Sequence, residues 1–213
     1  MHKSIYNLIE IKKKIDSIAD VKIIAVSKTF SMENILPLIE FGHLDYGENK
    51  VQEAVNKWTE IKKKKENINL HMIGKLQSNK VKQAIKLFDY IHSLDTLKLA
   101  KRISDEQKKI DKRIKLFIQI NIGNEEQKSG VSLNNLKNFY DICVKDFDLD
   151  IIGLMCLPPV NLDPSIYFEK MKKASNDLSL KELSMGMSSD YLTAIKFSAS
   201  FVRIGSKIFG ERI

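Results

Sequence analysis

Cysteine is scarce in this chain: Cys143 and Cys156 are the only two among 213 residues. Two thiols build no disulfide framework, and no CxxC or Cys/His cluster offers zinc-ligand spacing. A reducing compartment follows, and the chain is expected to be cytoplasmic. Long apolar runs are missing as well. No stretch approaches the roughly 20 apolar residues that cross a bilayer, so no membrane association is expected. The opening residues, MHKSIYNLIEIKKKIDSIAD, carry charges throughout and lack the apolar core of a signal peptide. No low-complexity tract, linker or break in composition divides the sequence. With 43% hydrophobic residues, residues 1–213 read as one domain with a sizeable core.

Basic residues are in excess but form few clusters. Thirty-five Lys and Arg against 27 Asp and Glu give a formal net charge of +8. Such an excess can mark a nucleic-acid partner. Here the lysines are spread over every helix-like segment, with acidic residues among them. The one dense run, IKKKKEN at 61–67, falls at a helix end, where cations complement the dipole. No aromatic residues interleave with it as a base-stacking platform. The charge reads as solvated surface, and no nucleic-acid partner is expected.

What the sequence does contain is alternation. Short β-type runs at 22–27, 44–46, 69–73, 90–93, 114–121, 150–157, 182–185 and 201–204 are separated by helix patterns. The helices fall at 31–41, 49–65, 79–88, 96–110, 132–145, 164–178 and 189–198. A further helix at 3–18 precedes the first strand, with Ile5, Leu8, Ile11 and Ile15 on one face. Ser31, Ser132 and the Asp163–Pro164 pair supply capping chemistry. Strict alternation implies a parallel sheet. Eight units in this length predict an α/β fold, a single-domain (β/α)8 TIM barrel with an extra N-terminal helix. An open doubly wound sheet is the alternative, and the count of eight favours closure.

Ligands of such barrels bind at the carboxyl ends of the strands. Lys28 follows the first apolar run. It is either a solvated strand end or a nucleophile held by partial burial. Gly186, Ser188 and Ser189 follow the seventh strand, and Gly205 and Ser206 the eighth. Each loop alone reads as an ordinary turn. Together, after strands 7 and 8, they favour a phosphate site. A lysine opposite such a site matches pyridoxal 5′-phosphate (PLP), which carries an aldehyde at one end and a phosphate at the other. Arg203, on the last strand, either pairs with a carboxylate or faces the ring nitrogen, where a permanent donor weakens the electron sink. His92 is either a pocket group or a structural histidine. His2 and His43 read as surface. Residues 123–130 are either a lid or a solvated loop. Met155, Met185 and Met187 lie near the mouth, where methionine serves chiefly as filler.

The segments AVSKTF, YGENKVQEA, HMIGKLQSNK, IHSLD, NIGNEEQKSGV, GLMCLPP, LSMGMSSDY and VRIGSKIFGER occur in this order along nearly the whole chain. Together they resemble the YggS/PROSC family of pyridoxal phosphate homeostasis proteins, similar in fold to the N-terminal barrel of alanine racemase. The resemblance implies PLP held as a Schiff base on Lys28, and Arg203 at the ring nitrogen. It implies phosphate contacts from the Ser184, Met185 and Ser188 loop and from Gly205 and Ser206. Asn49 and His71 fall at family motif positions near the pocket. Two positions depart from the pattern: Lys75 stands where proline is usual, and Lys50 where an aromatic or arginine is common. Both add amines that could accept the cofactor.

Three functions follow as expectations. The first is a non-catalytic carrier in intracellular PLP homeostasis, a monomer with apo-enzymes as recipients and indirect effects on amino-acid and keto-acid metabolism. The second is a PLP-dependent amino-acid racemase. It lacks a second acid/base residue opposite the lysine, since neither Tyr46 nor Tyr191 fits that role. The third is nucleic-acid binding, which rests on the charge alone.

Overall fold

The structure, a computed structural model, describes residues 1–211. Arg212, the last residue of the final motif, and Ile213 lie outside the described residues. Eight parallel strands close into a barrel in sequence order, β1 pairing with β8. They are β1 (Lys22–Val26), β2 (Asp45–Glu48), β3 (Asn69–Met72), β4 (Tyr90–Leu94), β5 (Lys115–Ile120), β6 (Ile151–Cys156), β7 (Glu182–Met187) and β8 (Phe201–Ile204). The helices are α1 (Lys3–Asp16), α2 (Met32–Glu40), α3 (Val51–Lys64), α4 (Val81–Leu87), α5 (Leu97–Ile110), α6 (Leu133–Lys145), α7 (Ser165–Asp177), α8 (Tyr191–Lys196) and α9 (Ser206–Phe209). The expected closed barrel and its extra N-terminal helix are borne out.

Two-residue periodicity divides the strands between two cores. Ile23, Ala25, Leu70, Ile91, Leu116, Ile118, Leu154, Leu183, Val202 and Ile204 face the helices and join Leu8, Ile35, Trp58, Phe88 and Phe168 in the larger one. Ile24, Tyr90, Phe117, Met155 and Phe201 fill the barrel itself. Burying one Leu or Ile of this kind stabilises the fold by about 1.5–3 kcal/mol. Lys22 lies over the Phe201 ring and Lys115 over the Tyr90 ring, each near the amino end of its strand. These cations keep their charges in water while their stems cover the aromatic plug.

The local signals held with corrections. α1 buries Leu8, Ile11 and Ile15 as expected, with Ser4, while Ile5 is only partly buried. Ser31 and Ser132 occupy N-cap positions but make no side-chain cap bond; Ser31 Oγ instead accepts from Asn34 Nδ2. β2 runs on to Glu48, beyond the expected end at 46. Propensity alone disfavours a charged strand residue, and the partners described below override it. His43, read as surface, is buried at 6% exposure, its Nε2 3.0 Å from the Asp45 carbonyl oxygen. Among the described residues no helix is long and apolar enough to cross a membrane.

Candidate functional site

The barrel mouth forms where the strands end, and Lys28 stands there, half-buried, two residues beyond β1. The backbone around it is held from several sides. Ser27 N–H donates to Gly47 O at 3.0 Å, and Ser27 Oγ donates to Glu48 Oε1 at 2.7 Å. Thr29 has a positive φ of 69°, and its N–H donates to Glu53 Oε1 at 2.7 Å. Lys57 Nζ donates to Ser27 O at 2.9 Å and Phe30 O at 3.2 Å. The same ammonium pairs with Glu48 at 2.8 Å and Glu53 at 2.9 Å. Trp58 Nε1 adds a bond to Glu48 Oε1 at 3.0 Å. Burial pushes the Glu53 carboxyl up, but the Thr29 amide and Lys57 outweigh it and hold it below the usual value.

Arg203 is buried at 4% exposure on β8. Its NH1 donates to Ser184 O at 2.6 Å and Ser184 Oγ at 2.7 Å, and its NH2 to Cys156 O at 2.8 Å. No carboxylate is among these partners. The pairing with a carboxylate, one of the two alternatives for this arginine, is not what holds it. Its hydrogen bonds go to backbone and hydroxyl oxygens, while the Asp190 carboxylate acts on its charge from a distance.

Two expected contacts move. Ser184 Oγ is fully buried between Arg203 and His92 Nδ1, the latter at 2.8 Å. Its hydroxyl is therefore engaged beneath Arg203 and has no exposed surface. His71 is also fully buried; it reaches His92 at 3.0 Å and Asp45 at 3.1 Å. Asp45 opens β2, so His71 points toward the amino end of the barrel, away from the mouth. Met185 is a third correction, because its side chain packs in the helix-facing core. Only its backbone borders the loop.

The two late loops meet. Lys207 N–H lies 3.5 Å from Ser188 Oγ, which links the turn after β7 to the turn after β8. Gly186 has φ +92°, and a Cβ there would stand 2.7 Å from that of Ala194. Glycine is required at that turn. A Cβ at Gly205 would make an ordinary contact with Val26, at 3.4 Å and beyond, so this turn packs over the end of β1 without strain. Ser188 is half-buried and Ser206 exposed, so both hydroxyls are accessible.

Asn49 follows β2 at the rim, and its Oδ1 is buried without a hydrogen-bond partner. Asn49, Lys50, Gly74, Lys75 and Lys80 border a cavity of about 470 Å³. Gly74, Lys75, Gln119, Lys128 and Leu157 border another of about 260 Å³. Lys50 and Lys75 are exposed. Burial raises the Asp95 carboxyl, and nearby Lys75 pulls it back down. The segment 121–131 is not a free flap. Val131 N–H donates to Gln119 O, Gln119 Nε2 to Ser129 O, and Lys128 Nζ to Pro158 O. Among the described residues no group of three or more His, Cys, Asp or Glu could hold a metal ion.

The sequence reading missed the Glu48–Lys57–Glu53 cluster and Asp45. The i,i+4 spacing of Glu53 and Lys57 was a visible cue to an ion pair. Nothing local showed that β2 carries Glu48 under Ser27.

Fold and mouth together define a closed barrel of the alanine racemase N-terminal type. The family model for the alanine racemase N-terminal domain matches residues 3–213. The pyridoxal phosphate homeostasis protein of Aquifex aeolicus is 37% identical over 200 residues, covering 90% of this chain and 87% of that one. Its counterpart in Pasteurella multocida is 35% identical over 209 residues, with 90% and 87% covered. PipY of Synechococcus elongatus, solved with PLP bound, superposes with a TM-score of 0.88 at 30% identity, over 97% of this chain and all of that one. The chain belongs to the pyridoxal phosphate homeostasis protein family.

Proposed function

We propose that this chain holds PLP at the barrel mouth and serves its intracellular supply without catalysing a reaction of its own. The observation that carries this is the clamp on Lys28. A solvated strand end needs no Glu48–Lys57–Glu53 cluster, built on a buried Glu48, around it and no strained Thr29 beside it. Strain of about 1–3 kcal/mol persists where surrounding structure over-determines a functional position.

The residues present fit the group. When bound, PLP supplies an aldehyde and, at the far end of its ring, a phosphate. Lys28 offers the amine. Ser188, Gly205 and Ser206 offer hydroxyls and open backbone to the phosphate, and Arg203 offers a permanent donor to the ring nitrogen. Asn49, with its unpartnered oxygen, borders the rim. A ring nitrogen facing arginine stays unprotonated, which suits holding the group more than turning over amino acids. The names of the relatives support the same reading. In this reading the chain works as a cytoplasmic monomer and passes PLP to apo-enzymes.

The test is the absorbance of purified protein mixed with PLP, followed by borohydride reduction and peptide mass mapping. The label is expected on the peptide containing Lys28, and Lys28→Ala is expected to abolish it. Label on Lys50 or Lys75 instead, with Lys28→Ala unaffected, overturns the assignment. Rapid interconversion of D- and L-alanine by the pure protein overturns the non-catalytic part.

A further inference from the structure

A line of five polar side chains crosses the inside of this barrel, where branched apolar residues usually dominate. It starts at Asp45, which borders a cavity of about 300 Å³ at the amino end of the strands. Asp45 Oδ1 lies 3.1 Å from His71 Nε2, and His71 Nδ1 lies 3.0 Å from His92 Nε2. His92 Nδ1 lies 2.8 Å from Ser184 Oγ, which receives Arg203 NH1 at 2.7 Å. Both imidazoles are wedged flat against aromatic rings. His71 stacks on Tyr90 at 4.3 Å, and His92 on Phe117 at 4.2 Å.

The donor inventory orders the protons. An ionised Asp45 only accepts, so His71 carries its proton on Nε2. A neutral His71 then presents a lone pair at Nδ1, and His92 must donate from Nε2. His92 Nδ1 in turn accepts the Ser184 hydroxyl proton, and the oxygen of Ser184 is left to accept from Arg203. Every atom in the line is satisfied, and every dipole points the same way. The rival arrangement puts a second proton on His71, reverses both later bonds and leaves the Ser184 hydroxyl proton without a place in the line. Burial opposes it by holding both histidines below their ordinary pKa, His92 the further. Aligned hydrogen bonds in a low-dielectric interior polarise and strengthen one another.

We propose that Asp45, His71 and His92 are positioning residues for Arg203: a one-way hydrogen-bond chain, anchored on the Asp45 carboxylate, fixes the Arg203 guanidinium at the mouth as a donor. What Arg203 donates to rests on the reading above; the chain itself does not. Neither histidine touches the mouth, so their effect on a ligand passes through Ser184 and Arg203.

The chain is read first in protein free of PLP, by nitrogen-15 imidazole spectra at neutral pH. His71 and His92 are both expected as neutral rings protonated on Nε2. An imidazolium at His71, or an Nδ1-protonated His92, overturns the proposal whether or not PLP binds. The second arm uses Asp45→Asn, which keeps shape but can donate, and Ser184→Ala, which cuts the line next to Arg203. Asp45→Asn is expected to shift the His92 nitrogen signals. Either variant is expected to move the absorbance maximum of bound PLP and weaken its affinity on the order of tenfold, the loss of one charge-assisted hydrogen bond. Unmoved His92 signals and an unmoved chromophore in Asp45→Asn overturn the chain. If Asp45→Asn does not fold, Ser184→Ala and the wild-type spectra decide. Wild-type protein that binds no PLP but shows the ordered histidines removes the proposed function and leaves the chain standing.

Discussion

Lys57 Nζ sits 2.9 Å from the carbonyl oxygen of Ser27, the residue immediately before Lys28. A lysine of α3 thus holds the backbone that presents another lysine at the mouth, while neutralising Glu48, which has no exposed surface. Lys57→Met keeps the aliphatic stem and removes the charge. It leaves Glu48 buried without its cation, and a loss of about 3 kcal/mol is expected in urea unfolding. Glu53→Gln acts on a more exposed pair and is expected to cost about 1 kcal/mol or less. Equal losses for the two variants would show that Glu48 does not depend on Lys57.

Gly186 and Gly205 flank the same region with different constraints. Gly186→Ala forces a side chain onto φ +92° and within 2.7 Å of Ala194. A loss of about 1–3 kcal/mol in unfolding free energy is expected. Gly205→Ala meets only an ordinary contact with Val26, so stability is expected to stay within about 0.5 kcal/mol. Its added methyl lies over the end of β1, and PLP titration is expected to show weaker binding. Tight PLP binding by Gly205→Ala would move the phosphate away from this turn.

Acid is expected to destabilise the fold through its buried histidines. Burial pushes the His43 imidazole down from 6.5 to about 4, against an opposing pull from Asp45. Between these values the unfolded chain binds the proton and the folded chain does not, so stability falls as pH falls. The contribution is complete above pH 6.5 and gone near pH 4. At 1.36 kcal/mol per unit it amounts to about 3 kcal/mol. His71 and His92 shift in the same direction and steepen the slope. Urea unfolding at several pH values from 7.5 downward measures it, and His43→Gln is expected to flatten it. A wild-type profile independent of pH contradicts the burial of these rings.

The alternation of apolar strands and amphipathic helices was legible because each element carries its own period. β1 shows this: four adjacent apolar residues, Ile23 to Val26, are buried on both faces. The positions of Lys28, Arg203, Gly186 and Gly205 at or near strand ends were legible, since a parallel barrel gathers all its carboxyl ends on one side. The partners of His71 and Ser184 inside the barrel were not legible, for a related reason. A motif position fixes which strand a residue occupies, while its height in the barrel depends on register with the neighbouring strands. Asp45 pairs with Asn69, and His71 with Tyr90, and that stagger carries His71 toward the amino end.

By itself, then, the sequence determined the eight strands, their order and the loops that follow them, because hydrophobic period and turn chemistry are local properties. Only the tertiary structure decided which polar side chains face one another across the closed barrel. Asp45 and Arg203 lie 158 positions apart in the chain, and no local pattern encodes their connection. It arises when β8 closes onto β1 and the stagger of the eight strands stacks His71, His92 and Ser184 between them.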